Sequence, residues 1–158
     1  MANVCMEIET TRDIARQILR HRSFSFQEFS QRYAVVNLFS LRDCRMQDTK
    51  NRQNSLTTED QELQNWWNAA QLRIQNEAQF MYQAALNRGV AKEQARALLP
   101  EGLAMSRMYM NGTLRSWLHY IEVRTDPSTQ KEHRDVAEAC KTVLSVLCPN
   151  ILGAMNAD

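Results

Sequence analysis

Apolar and polar positions change period along the chain, and each change marks an element. Val4, Met6 and Ile8 alternate with polar or small neighbours, which predicts a short strand over residues 3–8. From Thr10 or Thr11 the period becomes helical. Ile14, Ala15 and Ile18 then share one face, while Arg12, Arg16, Gln17 and Arg20 lie on other faces or near the end of a helix reaching about His21. Phe24, Phe26 and Phe29 recur irregularly among Ser and Gln, so residues 22–31 read as a loop. Residues 33–39 are apolar and partly β-branched, a candidate strand. Residues 42–56 are polar, an exposed loop or excursion.

Thr58 and Gln61 form a capping-box pattern, and Gly89 supplies a stop. Between them, Leu63, Trp67, Ala70, Ile74, Ala78, Met81 and Ala85 form one stripe on a long helix. Such a stripe suits a core or a helix–helix seam, including one against another subunit. A short helix over residues 91–98 stops at Pro100, and residues 103–110 alternate loosely as a strand. Asn111-Gly112 reads as a turn, and Thr113 opens a helix to about Val123. Asp126-Pro127-Ser128 starts a last helix with Val136, Cys140, Val143 and Leu147 inward, ending at Pro149. The expected fold class is α+β: one helix-rich domain over residues 1–158 with a small antiparallel or mixed sheet.

With 44% hydrophobic residues, 23% charged residues and net charge +1, the chain has the balance of a globular protein, not of a polyanion-coating one. No apolar run approaches the roughly 20 residues of a membrane span. The first ten residues carry Glu7 and Glu9 and no signal pattern, so the expected location is the cytoplasm, or a host's. Cys5, Cys44, Cys140 and Cys148 form no C-x-x-C pair, which gives little support to a zinc site or a disulfide framework. The 19 basic residues are 15 Arg and 4 Lys. Arg is favoured where a planar fork must grip phosphate or carboxylate, although lineage bias produces the same count.

Position adds to composition. Residues 20–33 read RHRSFSFQEFSQRY, with three Arg, one His, one Glu and three Ser at the end of a predicted helix. Guanidinium forks, hydroxyls and backbone amides converging in one loop are suited to binding an anion. A solvated charged turn is the competing reading of the same residues.

This string resembles the signature RHRxxSxNExSxRY of the flavin-dependent thymidylate synthases. Arg20, His21, Arg22, Ser25, Glu28, Ser30, Arg32 and Tyr33 match, and Gln27 replaces the usual Asn. Residues 95–100, ARALLP, resemble the family element A-R-x-x-L-P. Residues 111–124 resemble its G-N-x-R-x-x-x-H/N-F-x-x-x-R helix, with Thr113 where Asn is usual. Residues 130–134, QKEHR, resemble its A-Q-x-E-I-R helix start. Against that pattern the sequence is short at its N-terminus, where family members carry a segment that supplies some flavin contacts.

The resemblance implies reductive methylation of dUMP to dTMP, with methylenetetrahydrofolate as carbon donor, NADPH as reductant and FAD as cofactor. It implies a phosphate clamp of Arg32 and Arg96, assisted near Ser30 and Gln31. Arg124 would stabilise charge developing on the uracil, and Gln17 would read the base edge. Arg20, Glu28 and Ser30 would also contact the nucleotide, Ser30 as a positioning group beside Arg124 at the reacting centre. Arg20, His21, Arg22, Gln27, Glu28, Thr113, Arg115 and His119 match flavin-side positions. Family sites lie between subunits of a homotetramer. An alternative is a shortened, non-catalytic homologue that binds a uridine nucleotide, with or without flavin, or that needs a partner chain. A nucleic-acid-binding helical protein fits the balanced charge poorly.

Overall fold

The computed structural model describes residues 2–36 and 38–150. The expected single domain over residues 1–158 extends beyond them at both ends, and Asn37, within the expected strand 33–39, lies outside them. The chain runs β1 (Asn3–Thr11), α1 (Arg12–Ile18), β2 (Ser25–Glu28), β3 (Arg45–Gln47), β4 (Ser55–Thr57), α2 (Gln61–Asn87) and α3 (Lys92–Ala95). A 3-10 turn (Arg96–Leu98), β5 (Met105–Thr113), α4 (Leu114–Arg124) and α5 (Lys131–Leu147) follow. The architecture is α+β, as expected.

One sheet has the antiparallel order β1-β5-β2, with Asn3 opposite Thr113 and Ser25 opposite Asn111. The period of two puts Met6, Ile8, Met108 and Met110 on its buried face. Ile14, Ala15 and Ile18 of α1, Trp117, Tyr120 and Ile121 of α4, and Ala137, Cys140 and Leu144 of α5 cover that face. A second cluster joins Val36, Tyr82, Ala95, Leu99 and Ala104 under α2. Arg42 ties the segment before β3 to both neighbouring helices. Its guanidinium pairs with Asp13 at the start of α1 (2.6 Å). Its backbone N–H donates to Gln71 Oε1, and its carbonyl accepts from Gln71 Nε2 and Trp67 Nε1. That double clasp explains why Gln71, a polar residue, is buried on α2.

Several sequence expectations change. Residues 25–28 form β2, not a loop, because their partner β5 lies far along the chain and local period gives no hint of it. Residues 33–39 form no strand among the described residues. The N–H groups of Tyr33 and Ala34 both bond to the Ser30 carbonyl, which closes a turn and leaves Tyr33 76% exposed. Asn111 and Gly112 lie inside β5, and Gly112 is there because the Phe24 ring occupies the space a Cβ would take. The 42–56 excursion contains the β3–β4 hairpin.

The α2 cap is Asp60, whose Oδ1 accepts from Leu63 N at 3.0 Å, in place of the Thr58 capping box. On α2 the stripe residues Ile74 (55%) and Met81 (45%) are exposed, whereas Tyr82 is buried. The inward face of α5 is His133, Ala137, Cys140 and Leu144. Val143 and Leu147, expected inside, are exposed because the helix is rotated by one position from the expected stripe.

Candidate active site

The chemistry-bearing residues fall into two groups on different sides of α1. The first surrounds a cavity of about 360 Å³ lined by Arg12, Arg16, Gln31, Glu93, Arg96 and Glu101, with Ala97, Leu99 and Ala104 between them. The short α3 carries Glu93, and the 3-10 turn that continues it begins with Arg96. Glu93 holds Arg32 by Oε2 at 3.1 Å, and its carbonyl accepts from Arg96 Nε at 3.1 Å. Two arginines from distant segments are thus attached to one residue. Gln31 is buried, and its Nε2 has no partner among the described residues. A second, more apolar cavity of about 180 Å³ adjoins Gln31 and includes Phe29, Val36, Leu38 and Met105 in its lining. Glu28, on β2, accepts from Ser106 Oγ (2.7 Å) and Arg12 Nη1 (3.4 Å). Arg16 pairs with Glu101 at 2.5 Å. Ser30 Oγ accepts the Arg32 backbone N–H at 3.3 Å and so shapes the loop that presents Arg32.

The second group joins α1, α4 and α5. Gln17 Nε2 donates to Gln130 Oε1 at 2.8 Å, and Gln130 Nε2 donates to Glu132 Oε2 at 2.9 Å. Glu132 Oε1 pairs with Arg45. Burial alone would raise the Glu132 carboxyl, but hydrogen bonds from Arg45, its own backbone and Gln130 together hold it below the usual carboxylate range. His133 Nδ1 lies 3.3 Å from Gln17 Oε1. Arg124, at the end of α4, donates from Nε to His21 Nε2 at 2.9 Å. Tyr120 packs against both imidazoles, its ring centroid 4.9 Å from His21 and 5.8 Å from His133, and the two imidazoles lie edge-on to each other at 6.1 Å. Burial, then the nearby Arg124 charge, pushes both histidines down to about 4. Burial also raises the Tyr120 hydroxyl well above its ordinary value. Around the Arg124 guanidinium the imidazoles and the phenol are thus neutral hydrogen-bonding groups.

Arg20, Arg22 and Arg115 are exposed, and among the described residues their guanidiniums make no hydrogen bond or ion pair. Gln27 is also exposed, on β2. His119 is exposed and faces Glu122 at 3.8 Å. Thr113 caps α4 by accepting from Ser116 N. Three uncommitted guanidiniums flanking His21 and His119 are a donor set suited to a pyrophosphate, so these residues fit a dinucleotide cofactor.

The expected substrate residues therefore divide: Glu28, Ser30, Gln31, Arg32 and Arg96 in one group, Gln17 and Arg124 in the other, with Arg20 exposed just after α1. No hydrogen bond or ion pair joins the two groups among the described residues. Sequence reasoning missed Arg12, Arg45, Glu93, Glu132 and His133 as members. Glu93 carried one usable signal, its place three residues before Arg96. Among the described residues no helix is long and apolar enough to cross a membrane.

The family model described as thymidylate synthase complementing protein matches residues 1–150. The flavin-dependent thymidylate synthase of Synechocystis sp. is 46% identical over 155 residues, covering 98% of this chain and 72% of that protein. The probable flavin-dependent thymidylate synthase of Paramecium bursaria Chlorella virus 1 is 47% identical over 156 residues, with the same coverage. The crystal structure of the UMP/dUMP methylase PolB from Streptomyces cacaoi, bound with 5-Br dUMP, superposes with a TM-score of 0.81 at 26% identity. It covers 93% of this chain and 68% of that one.

Proposed function

The chain belongs to the thymidylate synthase complementing protein family, and from that premise we infer that it is a flavin-dependent thymidylate synthase that methylates dUMP to dTMP. The observation that carries the reading into this chain's own residues is the convergence of Gln31, Arg96 and the Glu93-held Arg32 beside one polar cavity. The dUMP phosphate, with nearly two negative charges, takes the place of the Glu93 carboxylate on Arg32 and accepts from Arg96 as well. The Gln31 amide gives up its unpartnered N–H to the same ligand.

The carbon donor is methylenetetrahydrofolate and the reductant NADPH. The transferred methylene carbon replaces hydrogen at uracil C5, and two electrons from NADPH bring it to a methyl group. C5 is a weak nucleophile, and it attacks more readily when the ring carries enolate-like negative charge on its nitrogens and oxygens, density that then flows out through C5 into the new bond. Arg124 stabilises that charge. Its Nε is occupied by His21, which leaves its two Nη groups to donate to the ligand. Gln17 reads the base edge. Ser30 keeps the phosphate loop in shape and forms no covalent bond. Arg20, His21, Arg22, Gln27, Glu28, Thr113, Arg115 and His119 hold FAD, which when bound supplies the electron transfer.

The two residue groups meet across subunits of a homotetramer, each site drawing its phosphate half from one chain and its base half from another. The exposed apolar residues of α2, Ile74 and Met81 among them, are the surface such packing covers. A single domain over residues 1–158 and a cytoplasmic location belong to the same proposal. The test is an absorption spectrum of the purified protein, with a band at about 450 nm for bound flavin. Beside it stands dTMP formation with dUMP, methylenetetrahydrofolate and NADPH, each omitted in turn. Product that requires all three supports the reading, and a protein that binds neither flavin nor dUMP removes it.

A further inference from the structure

The hydrogen-bond chain on α5 has a direction, and Glu132 sets it. An ionised carboxylate only accepts, so Gln130 must turn its NH2 group toward Glu132 and its carbonyl away. That carbonyl accepts from Gln17, so Gln17 also turns its NH2 group toward Gln130 and its Oε1 the other way. Oε1 meets His133 Nδ1. An amide oxygen cannot donate, so Nδ1 must carry the proton and Nε2 the lone pair. The chain of bonds thus fixes a tautomer as well as two amide orientations.

His133 is 1% exposed, and its Nε2 has no partner among the described residues. A purely apolar side chain would fill the same space beside Tyr120 without burying an imidazole nitrogen unpaired. What the imidazole adds is the one N–H on the far side of the Gln17 amide. Without it, Gln17 keeps the direction that Gln130 sets but is tied at its nitrogen alone, so its oxygen can swing about that one bond.

We propose that His133 is a positioning residue that locks the Gln17 amide in one orientation, so that the site accepts a uracil edge and rejects a cytosine edge. The proposal rests on the reading of Gln17 as the group that meets the pyrimidine. Uracil presents a carbonyl at position 4 and N–H at position 3; cytosine presents an amine and a bare nitrogen there. A locked amide offers its N–H to the uracil carbonyl and its oxygen to N3–H together, whereas one whose oxygen swings away loses the second contact and with it part of the preference over cytosine. His133 touches no substrate and acts through Gln17.

The experiment compares dUMP, dCMP and deoxyuridine binding to the full-length protein and to His133→Asn, His133→Gln and His133→Ile. An Asn side chain places its amide N–H near the position of Nδ1, and Gln places its own near Nε2. His133→Ile and His133→Gln are expected to bind dUMP about tenfold more weakly, the loss of one positioning hydrogen bond. Their preference for dUMP over dCMP narrows, while the ratio of dUMP to deoxyuridine affinity, which reports the phosphate, stays the same. His133→Asn recovers most of the affinity and the preference. In the unmutated protein, nitrogen-15 NMR is expected to show a neutral His133 protonated at Nδ1. Equal behaviour of the Asn and Gln variants, or an Nε2-protonated His133, overturns the positioning role. Failure of the unmutated protein to bind dUMP overturns instead the base-reading role of Gln17 on which it rests.

Discussion

Arg124 donates a hydrogen bond from Nε to Nε2 of His21 across 2.9 Å, a contact between two groups that are both cationic when protonated. The contact requires a neutral imidazole with its proton on Nδ1. It orients the guanidinium without neutralising it, and among the described residues no carboxylate pairs with Arg124. An oriented and uncompensated positive charge is the arrangement that favours charge developing on a bound ring.

The same contact makes the fold sensitive to acid. His21 and His133 titrate near 4 in the folded chain and near 6.5 when unfolded. Between those values the unfolded state binds more protons, so stability falls as pH drops from about 6.5 toward 4. Protonating either histidine adds charge beside Arg124; His119 adds to the repulsion on His21, and His21 to that on His133. The midpoint of thermal unfolding is expected to fall steadily between pH 6.5 and 5.0, above the range where most carboxylates titrate. His21→Gln, whose carbonyl accepts from Arg124 without titrating, should flatten that slope. An unchanged midpoint over the window in the unmutated protein would contradict the neutral-histidine arrangement.

The phosphate clamp has its own signature. Arg32→Ala and Arg96→Ala should each weaken dUMP binding by about 1.5–3 kcal/mol, as for a hydrogen bond to a charged group. Deoxyuridine, which lacks the phosphate, should lose little. Titration calorimetry with both ligands decides it, and equal losses for nucleotide and nucleoside would sink the assignment.

Division of the site between subunits predicts complementation. Arg96→Ala and Arg124→Ala chains, each inactive alone, are expected to recover about a quarter of full activity when co-expressed in equal amounts, because random mixing leaves that share of sites with both arginines. Light scattering should give the mass of a tetramer. No recovery in verified mixed oligomers would place both arginines of a site on one chain.

Gly112→Ala is expected to destabilise the fold by about 1–3 kcal/mol, the usual cost of an overpacked methyl group. The Phe24 ring that the new Cβ would strike is itself held edge-on against Trp117 at 5.0 Å, so it has little room to yield. Gly112→Ala combined with Phe24→Leu should lose less than the two single effects added. Denaturant unfolding of the four proteins measures this coupling, and strict additivity would remove the steric explanation.

How far the sequence revealed these features depended on the range of the interactions. The long α2 could be read because its period persists over many residues and Gly89, at φ 83°, ends it in a conformation that favours glycine. The segment of residues 33–39 misled because apolar composition alone does not give a strand: the Ser30 carbonyl had already turned the backbone. β2 was hidden because only β5 makes it a strand. The polar signature marked Arg32 and Glu28 as chemical residues, but not that Glu93 would hold Arg32 or that Ser106 would hold Glu28. The Gln17–Gln130–Glu132 chain joins α1 to α5, and no spacing along one helix encodes a bond between two.

The register that places Asn3 opposite Thr113 and Thr11 opposite Met105 has a consequence for how the protein is made. Roughly a hundred residues separate the paired strands, so closing the sheet carries the entropy of a long loop. On the ribosome β1 emerges well before β5, with Met6 and Ile8 on its apolar side, and must wait until β5 has been synthesised before it has that partner. During that interval its edge is open to pairing with other chains. The outward-facing Glu7 and Glu9, which pair with Arg107 once β5 arrives, give the waiting strand a negative face that opposes association with copies of itself.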